Sequence, residues 1–290
     1  MSKESHIDRT ATEPRHAALH ETTIISLQEI NPSIRLFRLA IQGSGIKFLP
    51  GQWLDLHIPS LSKPGGFTIT SSPSSSLPSP SNPTPYVELA IQRSPSNPAA
   101  AYLFQPPFQL LNTPLSVRVG GSFTFPPSGI PASTLRRVVF IAGGVGVNPL
   151  MSMLSFLAEA PPPEPFEAHF LYSMRDPGMS RDAKGMLFLE RIFELFSKGG
   201  VQSRLRLFLT SGRRDVEQVA GSEVVSLEGG EVPFERRRIS LSDVGAALGE
   251  EKRDAVVYVC GVPDMTDEFV KRLVDELGME RERVLYEKWW

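Results

Sequence analysis

The sequence predicts two domains in series: a small antiparallel β-barrel over residues 22–130 and an α/β domain with a parallel sheet over residues 131–290, preceded by a disordered segment at 1–21. Three observations predict this. Short β-rich segments separated by turn residues fill the first part, with the spacing of a small barrel. Apolar strands alternate with helical patterns in the second part, as in a parallel sheet wrapped by helices. Two of those strands run straight into glycine-bearing turns with a helix beyond, a construction that holds nucleotide phosphates.

The β-rich segments are read at 22–27, 34–41, 53–58, 67–70, 87–92 and 115–119. Between two of them, the Ser/Pro-rich stretch 71–85 predicts a mobile inserted loop with few backbone pairings and no role. The divide falls near residues 126–134. Beyond it, strands are read at 138–142, 168–172, 204–209 and 255–259, and helices at 150–157, 184–196 and 266–277. The proline run from Pro161 ends the first helix as a rigid connector. No internal repeat is present.

Composition narrows the function. A chain of 290 residues that is 41% hydrophobic is long enough for two modest cores. Its formal charge of −2, with no block of Lys and Arg, gives no electrostatic case for nucleic acid. One cysteine excludes an internal disulfide framework and a cysteine-ligated cluster or zinc site, so no metal is expected. No apolar run approaches the roughly 20 residues of a membrane span. The first 21 residues mix Lys3, Arg9 and Arg15 with Glu4, Asp8, Glu13 and Glu21, unlike a signal or transit peptide, and the chain is expected to be intracellular.

Residues 138–142 are continuously apolar and lead into Gly143, Gly144, Val145, Gly146, Val147, Asn148 and Pro149. The glycines let phosphate oxygens approach the amides, and Pro149 suits a first helical turn. The spacing is not G-x-G-x-x-G, and a tight turn without a ligand would use the same glycines. Residues 255–259 likewise run into Cys260, Gly261, Val262, Pro263, Asp264 and Met265 ahead of a helix. Ligands of open α/β sheets bind beyond the carboxyl ends of the strands, so both turns can face one crevice.

AGGVGVNPL, YVCGVPDMTD, GGFTITSSP and the ending Glu287-Lys288-Trp289-Trp290 together resemble the ferredoxin–NADP reductase superfamily, and within it the oxidoreductase NAD-binding domain-containing proteins. The resemblance runs from about residue 22 to residue 290. It implies an FR-type flavin-binding barrel, NAD or NADP as cofactor, FAD as a second one, and a mitochondrial location, with the cytosol left open by the N-terminus. On the NAD(P) side it implies contacts from the turn at 143–149, from Tyr172, Ser173 and Arg175, and from Gly261, Pro263 and Met265. Arg213 and Arg214 could meet a 2′-phosphate or be solvated, which leaves NAD versus NADP open.

On the flavin side, relatives use an Arg-x-Tyr-Ser/Thr segment, and this chain has Gly65, Gly66, Phe67 and Thr68 there. Phe67 can stack on the ring and Thr68 can donate near flavin N5, whereas Gly65 removes a bidentate phosphate contact. Ala100 stands where relatives carry a hydroxyl, and Arg93 is either a substitute phosphate partner or a solvated side chain. By the same resemblance Cys260 lies beside the nicotinamide and Glu287 near the reacting rings; an inert buried thiol and a solvated carboxylate are the alternatives. Trp289 and Trp290 either cover the flavin or plug the gap between domains. The function implied is an NAD(P)H-dependent flavin oxidoreductase that passes electrons to an unknown acceptor. The alternative is a nicotinamide-dinucleotide-binding regulatory module that has lost stable flavin.

Overall fold

A computed structural model describes residues 5–163, 165–178, 181–198, 202–211 and 223–288. The chain forms two compact units, Met1–Phe125 with Met151–Phe156, and Pro126–Leu150 with Leu157–Trp290.

The first unit begins differently from the expected disorder. Ser5 and Asp8 form a reciprocal capping box around α1 (His6–Arg9), and His6 is buried. The His6 ring packs on the backbone of Gly66, stands edge-on to Trp53 at 4.6 Å, and places Nε2 3.1 Å from Asp55 Oδ1. Asp55 Oδ2 also accepts from Arg15 Nε at 3.0 Å and from Arg118 Nη2 at 2.8 Å. Further along, the His16 amide donates to Val119 O and the Gly121 amide to Pro14 O. One buried carboxylate in the barrel wall thus orders the described part of a segment that has no regular pattern of its own.

Six strands follow: β1 (His20–Asn31), β2 (Ile34–Ile41), β3 (Trp53–His57), β4 (Gly65–Thr68), β5 (Tyr86–Gln92) and β6 (Pro114–Gly120). They pair antiparallel in the order β4-β3-β6-β1-β2-β5. An Ile69–Leu89 bridge and the Thr70 amide on Glu88 O, at 2.8 Å, join the end of β4 to β5 and close the barrel. Alternate residues point inward, so Phe37, Leu39, Leu54, Leu56, Val87, Leu89, Val117 and Val119 share one core. Ala99, Ala100 and Leu103 of α2 (Pro98–Leu103) and Leu110 of α3 (Pro107–Leu110) belong to the same core.

The Ser/Pro stretch is also more ordered than expected. Ser71, Ser72 and Ser76 are buried, and Pro73–Ser76 forms a 3-10 turn. Ser76 Oγ donates to Ile46 O at 2.6 Å while the Ile46 amide returns a bond to Ser76 O. Serine hydroxyls here supply the partners that a strand ladder would otherwise give the backbone.

In the second unit the elements are β7 (Arg137–Gly143), α4 (Val147–Glu159), β8 (Glu167–Arg175), α5 (Leu189–Ser197), β9 (Gln202–Thr210), β10 (Glu223–Leu227), β11 (Gly230–Glu235), α6 (Leu241–Leu248), β12 (Ala255–Gly261), α7 (Pro263–Asp275) and β13 (Val284–Lys288). Residues Met151–Phe156 of α4 cluster with the first unit, where Ser152 Oγ donates to Ser71 O at 2.7 Å. The helix expected over 184–196 is broken: a 3-10 turn at Ala183–Gly185 and a left-handed Phe188, φ 60°, precede α5. Burial of the Phe188 side chain accompanies that unusual backbone.

The sheet order is β10-β11-β9-β8-β7-β12-β13, parallel throughout apart from the β10–β11 hairpin. From β7 the chain steps outward through β8 and β9, then returns to lay β12 on the opposite side of β7. The order therefore reverses between β7 and β12, which is where open α/β sheets form their ligand crevice.

Candidate nucleotide site at the sheet's switch point

Both glycine turns lie at that reversal. A Cβ on Gly143 would meet Met265 Sδ at 2.6 Å and Gly261 Cα at 3.4 Å, so the two strand ends touch through bare backbone with the Met265 thioether between them. A Cβ on Gly146 would lie 2.2 Å from Cys260 O. Gly143, Gly146 and Gly261 are thus needed for packing. Gly144 differs: its φ is +55°, it is exposed, and nothing lies within 4 Å of where its Cβ would stand. It is the open face of the turn.

Residues Gly144–Gly146 form a 3-10 turn that passes into α4, and no side chain caps it. The other turn starts α7 at Pro263 after Val262, again with no side-chain cap. By contrast α2 is capped by Asn97 and α6 by a Ser240–Asp243 box. Two helix starts left without side-chain acceptors at one switch point present amides and positive dipole ends to an anion. The side chains of Val147, Asn148 and Pro149 are buried and Val145 is half-buried.

Strand register lines up the remaining candidates. Tyr172, Ala142, Cys260 and Glu287 form one row across β8, β7, β12 and β13; Ser173 pairs with Gly143, and Gly261 with Lys288. Their burial differs along the row. Tyr172 is a core residue whose hydroxyl donates to Leu187 O at 3.0 Å, and burial pushes its ionisation up. Cys260 is 0% exposed, and burial together with the Glu287 carboxylate pushes its thiol well up. Glu287 is half-buried on β13. Ser173 is half-buried and Arg175 exposed at the end of β8.

One residue was missed. Thr266, in the first turn of α7, is wholly buried, and its Oγ1 has no hydrogen-bond partner among the described residues. Its spacing from Gly261 and Met265 was available in the sequence, but its inward orientation comes only from the helix phase. Arg213, Arg214, Trp289 and Trp290 lie outside the described residues.

The flavin-type residues of the barrel are enclosed. Phe67 is 8% exposed and packs in the barrel core, and Thr68 is buried at the end of β4. A Cβ on Gly65 would stand 2.5 Å from Ala99 Cβ and 2.7 Å from Phe67 Cε2. Arg93 lies 6.0 Å over the ring of Phe104, the C-cap of α2. Gly65→Arg is therefore expected to lower barrel stability by about 1–3 kcal/mol by overpacking, read from the denaturant midpoint; an unchanged midpoint would show that β4 and α2 can separate.

No protein-family model matches the chain. Its fold is that of the ferredoxin reductases: it superposes on the ferredoxin reductase in carbazole 1,9a-dioxygenase with a TM-score of 0.66 over 94% of this chain and 70% of that one, at 17% identity. A ferredoxin NADP+ reductase from Neisseria gonorrhoeae with bound FAD and NADP matches with a TM-score of 0.63 over 94% of this chain and 99% of that one, at 14% identity. In sequence the chain is similar to oxidoreductase NAD-binding domain-containing protein 1 of Bos taurus, 29% identical over 293 residues that cover 98% of this chain and 85% of the relative. The resemblance read from the motifs is met in both sequence and structure.

Proposed function

We propose that this chain is an NAD(P)H-dependent flavin oxidoreductase, in which a nicotinamide dinucleotide held at the β7–β12 switch point gives hydride to a flavin and electrons pass on to an unidentified acceptor. The observation that carries the reading is the uncapped Gly144–Gly146 turn, with Gly144 open at φ +55°, placed where the strand order reverses. Amides of this turn and the start of α7 would take the pyrophosphate, and Ser173 and Arg175 a ribose or phosphate. Met265, Cys260 and Thr266 pack beneath. Oxidoreductase names among the relatives, and the FAD and NADP in a solved neighbour, support the class. The enclosed Phe67 and the filled space at Gly65 favour a second reading, a dinucleotide-binding regulatory module without stable flavin.

The test is Gly144→Val. A side chain there stands where the pyrophosphate would lie, and NAD(P)H affinity is expected to fall at least about tenfold. The left-handed backbone costs about 1–2 kcal/mol for a non-glycine residue, so Gly229→Val, at φ +94° in the β10–β11 turn and equally open, serves as control. Fluorescence titration showing equal affinity in both variants would remove the phosphate assignment.

A further inference from the structure

We infer that the flavin in this reaction is an exchangeable reactant, taken from solution and released when reduced, and not a group resident on the barrel. The inference rests on the flavin reading above and concerns what the barrel offers a phosphate-bearing tail.

A resident flavin nucleotide is held largely by its phosphates, which need cations, free amides or both. The first unit's own side chains have taken those places. Between β4 and α2 the space beside Gly65 is filled by Ala99 Cβ and the Phe67 ring, at separations that exclude even a methyl group. The first amides of α2 are not free either: Asn97 Oδ1 accepts from Ala99 N at 3.1 Å and Ala100 N at 3.3 Å, and Pro98 has no N–H to offer. Most cations among the described residues of this unit are also committed. Arg35 is buried, with Nη2 2.6 Å from Glu29 Oε1 and Nη1 donating to Leu103 O and Gln105 O. Arg38 binds Glu88, Arg15 and Arg118 bind Asp55, and Lys63 lies 3.6 Å from Asp8. Lys47 and Arg93 remain exposed, and the Arg93 guanidinium lies 6.0 Å from the Phe104 ring centroid.

A tail that meets few free partners adds little to affinity. Riboflavin, FMN and FAD then differ little as ligands, and each dissociates after reduction. The step balances without a further oxidant: the C4–H bond of the dihydronicotinamide breaks, its hydride forms the N–H bond at flavin N5, and a solvent proton adds at N1. Oxidised dinucleotide and two-electron-reduced flavin are the products.

The full chain is purified without added flavin, dialysed and scanned for visible flavin absorbance. NADH and NADPH oxidation is then followed with riboflavin, FMN and FAD in turn, and dinucleotide binding is measured separately. The expected result is flavin lost on dialysis and saturable turnover with all three, kcat/KM agreeing within about threefold. Stoichiometric flavin retained through dialysis, or FAD preferred over riboflavin by about a hundredfold, would overturn the inference and leave the oxidoreductase reading in place. Intact dinucleotide binding with none of the three flavins reduced would overturn both and leave the regulatory module.

Discussion

Gly146→Val is expected to cost the second unit about 3 kcal/mol or more and to lower its melting temperature by roughly 6–12 °C. The reason is backbone contact. The new Cβ would stand 2.2 Å from Cys260 O, 2.5 Å from Cys260 C and 2.7 Å from Gly261 N, none of which can rotate away as a side-chain tip does. To admit it, the first turn of α4 must lift from the end of β12, loosening the Gly143–Gly261 contact as well. Gly144→Val, two residues away, faces open space and pays mainly for its left-handed backbone. Adjacent glycines in one motif therefore have separate tasks: one lets the turn pack, the other leaves room for a ligand. Calorimetry on both variants checks this, and a Gly146 variant that melts with wild type would show that the turn is looser than its contacts imply.

The strands beside the switch point were legible because a parallel strand covered on both faces is a continuous apolar run: 138–142 and 255–259 are the inner parts of β7 and β12. The glycine turns were legible for a related reason, since a strand that must turn at once into a helix has few residue types to use. The sequence could not assign tasks among those glycines, because the neighbour that makes Gly146 indispensable, Cys260 O, is more than a hundred residues away. The Tyr172 hydroxyl bond to Leu187 O was not legible either, because packing and not the local pattern sets it. The missing arginine at position 65 was visible, but its consequence depends on Ala99 and Phe67 closing the gap. β13 went unread as a strand because Val-Leu-Tyr-Glu-Lys has only one buried residue; its pairing with β12 defines it. The hairpin β10–β11 and the short helix α6 were not anticipated either, and the α6 cap at Ser240 and Asp243 is the local signal that could have marked that helix.

The N-terminal segment is the largest departure from the sequence reading, and it gives the second large prediction. Residues 5–16 carry no strand or helix period of any length, so their order has to come from a partner. That partner is Asp55, 0% exposed in β3, where Leu54 and Leu56 face the core and the carboxylate faces His6, Arg15 and Arg118. Burial alone would raise its pKa. The hydrogen bonds from His6, Arg118 and Arg15 outweigh burial and hold the carboxyl well below the usual range. A group depressed in this way adds stability that is fully present above its unfolded pKa of about 4 and is lost as pH falls below it. Asp55→Asn keeps the shape but strips the charge, leaving two guanidinium groups beside a neutral amide. Removing one partner of a buried ion pair typically costs about 3–5 kcal/mol, and the loss is expected at pH 7, with cleavage within residues 5–16 by an added protease rising in parallel. Between pH 6 and pH 3 the variant should lose less stability than wild type; some acid sensitivity will remain because Asp243, held low by Arg237 and Ser240, titrates in the same direction. A variant with the wild-type melting temperature and the wild-type acid slope would mean that the N-terminal segment is held by the His6–Trp53 ring contact and the backbone bonds at Pro14 and His16.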